Sequence, residues 1–262
     1  MIRSMYTAAT GMEAQQLFMD TISNNLSNVN TTGFKRSKVE FHDLIYQTLR
    51  EPGVRNFEGG MAPSGIEVGL GVRPAATQRI FEQGSLNQTS NPLDWTVEGL
   101  GFFQILTPDG DVAYSRDGSF KLDADGMIVT SDGFPLEPQV VVPAEAQQVE
   151  VDARGRINIL MPDEDAPVEI GQIELARFVN PAGLKSVGGN LFMATESSGL
   201  PIVNIPGEEG MGMIRPGFLE ASNVQIVEEM VNMITAQRAF EIVSKAIQVS
   251  EDMLQVANNL KR

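Results

Sequence analysis

A chain of 262 residues with 42% hydrophobic and 20% charged residues can bury a substantial core, which excludes disorder as its main state. No Cys and a single His, His42, exclude disulfide scaffolds, thiolate nucleophiles, Cys-based zinc modules and multi-His metal sites. The formal net charge of −15, from 19 basic and 34 acidic residues, argues against nucleic acid and anionic lipid as partners.

The charge and the helix breakers are unevenly placed. All 14 Pro fall between Pro52 and Pro216, and 23 of the 25 Gly fall between Gly53 and Gly217, so two breaker-poor ends flank a breaker-rich middle. Residues 34–218 carry a net charge of −12, and the acidity belongs to that middle. Met1 to Phe18 is interrupted by Arg3, Glu13, Gln15 and Gln16, so it supplies no continuous apolar stretch of a cleaved secretory signal. Nor does any segment approach the roughly 20 apolar residues of a membrane span, and no membrane insertion is expected.

Residues 1–33 are expected to be helical. Met5, Met12, Met19 and Leu26 are spaced by seven, with Ala8, Gln15, Ile22 and Val29 three residues after each, the a/d seam of a coiled coil. Gly33 is placed to end that helix in the left-handed conformation. Residues 34–74 read as extended chain and short strands, because Glu51-Pro52-Gly53, Gly59-Gly60 and Gly69-Leu70-Gly71 interrupt any helix after Arg50.

Residues 75–218 read as an antiparallel β domain. Apolar alternation recurs at Ile157 and Ile159, Val168 and Ile170, and Ile173 and Leu175, while Val140-Val141-Val142 resembles a strand buried on both faces. Asp109-Gly110, Asp117-Gly118, Asp125-Gly126 and Asp132-Gly133 punctuate this region as hairpin turns do.

Residues 219–262 predict a second helix. Ser222 with Gln225 has the spacing of a capping box, Glu228 and Glu229 suit the positive helix end, and no Gly or Pro intervenes before Leu260. The result is a helix of roughly 36 residues, about 54 Å long. Ile242, Ala246, Val249, Met253, Val256 and Leu260 form one apolar row, and Phe240, Val243, Ile247, Leu254 and Ala257 the next. A stripe this wide needs neighbours on more than one side. The fold class is therefore α+β: long N- and C-terminal coiled-coil-type helices flanking an antiparallel β-rich middle, with residues 1–33 and 219–262 as paired terminal helices.

Reactive constellations are scarce. Asp123-Ala124-Asp125-Gly126 lacks the full EF-hand spacing, and turn chemistry accounts for each residue. Gly69-Leu70-Gly71 and Gly99-Leu100-Gly101 lack the third glycine of a dinucleotide loop, and there is no Walker sequence and no G-x-S-x-G elbow. His42 reads as a structural or surface residue. Lys35, Arg36 and Lys38 read as ion-pairing or subunit-contact groups in so acidic a chain. No catalytic residue, cofactor or metal is expected.

Two motifs carry a family resemblance. Ser23-Asn24-Asn25-Leu26-Ser27-Asn28-Val29-Asn30-Thr31-Thr32-Gly33-Phe34-Lys35-Arg36 resembles the N-terminal signature of bacterial flagellar rod and hook proteins. Ser222-Asn223-Val224, with Glu228 to Ile234 and Gln237-Arg238-Ala239-Phe240-Glu241, resembles the C-terminal signature of the same axial family. Within it, Tyr46 to Gly53, Gly69 to Pro74, Gly101-Phe102-Phe103 and Ala113 to Phe120 are similar to the distal-rod branch. Proximal-rod or hook-type subunits, or a β-rich surface binding module, are the alternative readings.

The resemblance implies a structural subunit of a rigid helical homopolymer. Its terminal helices would form the inner tube and its β domain would face outward. The stretch from about Gln47 to Ala62, including Arg50, Pro52 and Gly53, would stiffen the rod. The resemblance also implies export through the flagellar type III apparatus and assembly beneath a rod cap protein. Its neighbours would be proximal rod proteins, the hook protein, and the P-ring and L-ring proteins. The amides of Asn24, Asn25 and Asn28 suit contacts between identical subunits.

Overall fold

A computed structural model of the chain describes residues 2–53, 63–162 and 167–259. The chain divides into two compact units, each assembled from both halves of the sequence. The first comprises residues 1–27, 37–78 and 225–262, the second residues 28–36 and 79–224.

The first unit is built on two helices, α1 (Ile2–Ser27) and α2 (Ile226–Asn259). Ser4 meets Ser250, Gly11 meets Val243 and Asn25 meets Glu229, so each step along α1 matches one step backward along α2 and the pair is antiparallel. Ala14, Ile22 and Asn25 are the buried positions of α1, and Glu229 and Ala236 those of α2. Strand Ser37–Asp43 packs beside α1, with Phe18 edge-on to Phe41 at 6.3 Å, and pairs with Val72–Arg79. Tyr46–Arg50 and Ile66–Gly69 form a separate antiparallel hairpin.

Both helix ends differ from the sequence reading. α1 stops at Ser27, six residues before Gly33, so Val29 lies beyond the helix and does not continue its seam. α2 begins at Ile226, and Glu229 N donates to Gln225 O at 3.0 Å, which puts Gln225 rather than Ser222 at the N-cap. Ser222 Oγ instead accepts from Val224 N two residues on, a turn that precedes the helix.

The second unit holds a seven-stranded sheet. Its main path runs Lys185–Gly188, Leu191–Met193, Val112–Ser115, Phe102–Leu106, Leu175–Arg177, Ile202–Asn204, and Leu136–Glu137 pairs additionally with Phe102–Leu106. The registers within it are antiparallel. Phe102–Leu106 is almost wholly buried because both faces of the sheet are covered. Phe103 and Ile105 join Trp95, Phe120, Ile157, Ile159 and Ile214 on one side. Phe102 joins Tyr114, Phe178, Leu184 and Phe192 on the other.

A three-stranded sheet, Gln148–Val151, Arg156–Leu160 and Val168–Gln172, closes over the first core, and Ile157 and Ile159 supply its buried alternation. Two short ladders, Trp95–Glu98 with Met213–Pro216 and Leu86–Gln88 with Phe218–Glu220, draw the end of this unit's chain against its beginning.

Three of the four Asp-Gly pairs turn as expected: Gly110, Gly126 and Gly133 each donate N–H to the carbonyl three residues earlier at 3.0 Å. Asp117-Gly118 does not. Gly118 is a packing glycine, since a Cβ there would run into the Trp95 carbonyl. Val140-Val141-Val142 is not buried on both faces either, because Val141 points to solvent while Val140 and Val142 enter the core.

Candidate functional site

The two chain-end motifs are held at different places, and each explains a different part of the signature. In the first unit, the Asn25 side chain replaces a missing strand partner for Ser37. Its Oδ1 accepts from Ser37 N at 2.9 Å, its Nδ2 donates to Ser37 O at 2.9 Å, and Nδ2 also reaches Glu229 Oε2 at 3.4 Å. One amide therefore ties α1, the strand after it and α2. This amide is fully engaged inside the chain, so Asn25 is not the subunit-facing group expected from its type. Asn28 is half-buried and accepts from Thr31 Oγ1 at 3.1 Å, within the turn that leaves α1, while Asn24 is exposed on the helix.

In the second unit, residues 33–36 and 220–223 interlock. Gly33 N donates to Glu220 O at 2.8 Å, and Arg36 N donates to Asn223 Oδ1 at 2.7 Å. Asn223 Nδ2 in turn donates to Ile80 O and Glu82 O, at 2.8 and 3.1 Å. At the centre, Lys35 Nζ donates to Glu220 Oε1 at 2.5 Å and to Glu82 O at 2.7 Å, and Gly84 N donates to the same carboxylate oxygen at 2.9 Å.

Arg116 faces the other carboxylate oxygen at 3.5 Å and donates to Val97 O and Gly99 O, with its guanidinium over the Phe102 ring. Burial pulls the Lys35 ammonium below its ordinary range, against the opposing pull of Glu220. Burial lowers Arg116 in the same way. Phe34, next to Lys35, is buried and lies beneath the Arg79 guanidinium.

Sequence reasoning found Gly33 and Lys35 but not their partners Glu220 and Arg116. Arg116 stood within the Ala113 to Phe120 segment that carries the family resemblance. A lone Glu two residues before Ser222-Asn223 gave no sign of burial.

The helix faces carry the other half of the site. Ile22 is buried, and Met5, Met12, Met19 and Leu26 are half-buried along α1. On α2 the row that turns toward α1 is the second one, with Phe240, Val243, Ile247 and Leu254 half-buried. The row Ile242, Ala246, Val249, Met253, Val256 is not part of that intramolecular seam. It stands in solvent, with Ile242 67% and Val256 58% exposed. Met230, Val231 and Ile234 add exposed apolar surface nearer the start of α2. Leu260 lies outside the described residues.

Gln47 and Arg50 sit in the hairpin strand Tyr46–Arg50, every residue of which is exposed, and Arg50 donates to Ser64 O at 3.3 Å. Pro52 and Gly53 follow, also exposed. Residues 54–62, the rest of the expected stiffening stretch, lie outside the described residues.

Among the described residues there is no group of three or more His, Asp or Glu placed to hold a metal. Asp123 Oδ1 accepts from Ala124 N at 2.7 Å as part of a turn, and His42 is exposed on its strand. No described helix is long and apolar enough to cross a membrane.

Comparison with known proteins places this architecture in a family. Residues 5–35 match the model described as flagella basal body rod protein, and residues 215–260 that of the flagellar basal body rod FlgEFG protein C-terminal region. Residues 96–159 match the flagellar hook protein FlgE/F/G D1 domain. The flagellar basal-body rod protein FlgG of Borreliella burgdorferi is 53% identical over the full length of both chains. Its namesake in Caulobacter vibrioides is 42% identical over 99% of this chain and all of the relative, and that of Bacillus subtilis 37% over all of both. The chain belongs to the flagellar basal-body rod protein family, a family of structural proteins rather than enzymes.

Proposed function

We propose that this chain is a structural subunit of the distal flagellar rod, polymerising with copies of itself into a stiff hollow helix that carries torque toward the hook. The observation that carries this reading is the uncovered α2 row Ile242, Ala246, Val249, Met253, Val256. A helix that has already paired on one side and still holds five apolar or small residues in water is built for further helices, and in a rod family those are neighbouring copies. Two-stranded hairpins are marginal in water by themselves, so this hairpin, whose strand Tyr46–Arg50 is exposed throughout, also calls for contact with neighbours. That contact would limit sliding between subunits, the role implied for Gln47, Arg50, Pro52 and Gly53.

In this arrangement residues 1–33 and 219–262 line the inner core, residues 34–74 brace it and residues 75–218 face outward. The N-terminal motif residues Asn24, Asn25, Leu26, Asn28, Gly33, Phe34 and Lys35 then act mainly by fixing the fold of each subunit, and the helix rows by joining subunits. Proximal rod proteins and the hook protein are the axial neighbours. The P-ring and L-ring proteins surround the rod where it crosses the periplasm and outer membrane. Subunits leave through the flagellar type III export apparatus and assemble beneath the rod cap protein.

The test is to concentrate the full-length protein and follow it by sedimentation and negative-stain microscopy. The parent chain forms filaments, whereas a Val249→Glu, Met253→Glu variant with an unchanged far-UV spectrum stays monomeric. A parent that remains monomeric, or a variant that assembles equally well, overturns the reading.

A further inference from the structure

The seven-stranded sheet of the second unit has two free edges, Lys185–Gly188 on one side and Ile202–Asn204 on the other. Next to the second edge, Arg177 pairs with Ile202, and continuing that register outward sets Val179 opposite Leu200. Asn180 braces the two loops there, donating Nδ2 to Ser197 O at 3.0 Å and N to Ser198 O at 3.4 Å. Val179 and Leu200 are 84% and 86% exposed, above every other large apolar side chain among the described residues. They form a braced apolar knob that stands clear of the other described residues.

A groove of about 490 Å³ lies at the opposite edge, floored by Phe134, Val187, Leu191 and Met193 and rimmed by Asp109, Asp111 and Asp132. The two features sit at opposite edges and are also displaced along the strands, since the groove runs from Leu191, level with Phe103 through Ser115, to the 107–111 turn, while the knob lies beyond Phe102. Leu106 pairs with Val112 beside the 107–111 turn that walls the groove, whereas Phe102, at the other end of the same strand, pairs with Ala176 near the knob. Knob and groove therefore occupy opposite edges of one sheet, displaced from each other along the strands.

Six strands in sequence put roughly 24 Å between the edges, so a chain cannot fill its own groove. Three carboxylates on the rim disfavour an acidic segment and suit a cation, and Arg177 stands two residues before Val179 on the knob side. A knob at one edge and a receptor at the opposite edge make a heterologous contact, which propagates rather than closing on itself.

From this geometry we infer that Val179 and Leu200 of one copy seat in the Phe134, Val187, Met193 groove of the next, joining the β-rich units head to tail. The inference rests on the polymer reading above and assigns a second contact to it, independent of the helices. Burial of the knob adds apolar contact, and Arg177 meets the acidic rim.

The absence of Cys from the chain makes a crosslinking test clean. Full-length protein carrying Leu200→Cys and Val187→Cys, polymerised and then oxidised, gives a ladder of covalent multimers that a reducing agent collapses. Each single variant gives no ladder beyond dimer. Separately, Leu200→Asp raises the protein concentration needed for polymerisation about tenfold while the thermal melt of the monomer is unchanged. Filaments of the double-cysteine variant that yield no ladder, or an unchanged threshold for Leu200→Asp, overturn the knob-in-groove contact and leave the helix-mediated polymer standing. A parent chain that forms no filaments overturns the polymer reading and this contact with it.

Discussion

Lys35 Nζ lies 2.5 Å from Glu220 Oε1 with both side chains enclosed, an ion pair joining residues 185 positions apart in the sequence. Its partners come from the first and last segments of the β-rich unit, so the unit is complete only when both have arrived. Removing one member of a buried pair strands the other charge, at a cost of about 3–5 kcal/mol. Arg116, 3.5 Å from the second carboxylate oxygen, offsets part of that. Lys35→Met is therefore expected to cost about 3 kcal/mol, and adding Glu220→Gln should deepen the loss, because the buried Arg116 then has no carboxylate facing it. Trp95, the only Trp and fully buried, reports unfolding in urea by its fluorescence. A Lys35→Met midpoint equal to that of the parent would contradict the account.

Gly33 and Gly53 predict a contrast. Both have positive φ, +68° and +84°, so a Cβ strains the backbone at each. At Gly53 no described residue lies within 4 Å of that Cβ, whereas at Gly33 it would sit 2.7 Å from the Arg116 carbonyl carbon and 2.6 Å from Asp117 N. Gly53→Ala should cost about 1–2 kcal/mol, the conformational penalty alone. Gly33→Ala adds a collision with buried backbone and should cost more than about 2 kcal/mol. Paired urea melts check the difference, and equal costs would mean that the Gly33 backbone can move aside.

Asn25 is expected to act within one chain. Asn25→Ala leaves the half-buried Ser37 N–H and C=O without their amide partner, for a loss of about 2 kcal/mol. Native-state hydrogen exchange should show the Ser37 amide losing protection by one to two orders of magnitude while the Trp95 amide, bonded to Gly118 O, keeps its own. A variant that keeps Ser37 protection but fails to assemble would return Asn25 to the subunit interface.

What the sequence showed and what it hid divide along physical lines. The terminal helices were legible because seven-residue spacing and a lack of breakers are local signals. So were the turns at Gly110, Gly126 and Gly133. Gly118 carried the same dipeptide, but the Trp95 carbonyl pressed against it comes from another strand, and no local rule reveals that. The end of α1 was misplaced because Gly33 is needed for close approach to Arg116, not for capping. The two apolar rows of α2 were both visible, yet which one faces α1 depends on the antiparallel register set by Ser4 with Ser250 and Asn25 with Glu229. Glu220 and Arg116 were hidden for the same reason: a charged residue reads as surface until its partner is located.

Asp117 gives the β-rich unit a pH dependence of predictable sign. Burial holds its carboxyl above the ordinary carboxylate range, and Asp94 pushes in the same direction. Hydrogen bonds from Ser119 N at 3.1 Å and Ser119 Oγ at 2.8 Å oppose the shift without cancelling it. The native state therefore holds this proton to higher pH than the unfolded chain, whose carboxyl titrates near 3.9. The group's stabilising contribution is fully present below that unfolded value and is lost as pH rises through the raised native value. Asp117→Asn keeps an oxygen that can accept from Ser119 and removes the titration. The stability of the parent relative to the Asn variant should fall across the pH range that starts at the unfolded value and runs upward, measured as the difference in urea midpoints at each pH. A difference that stays constant across that range would show that Asp117 titrates alike in the folded and unfolded chains.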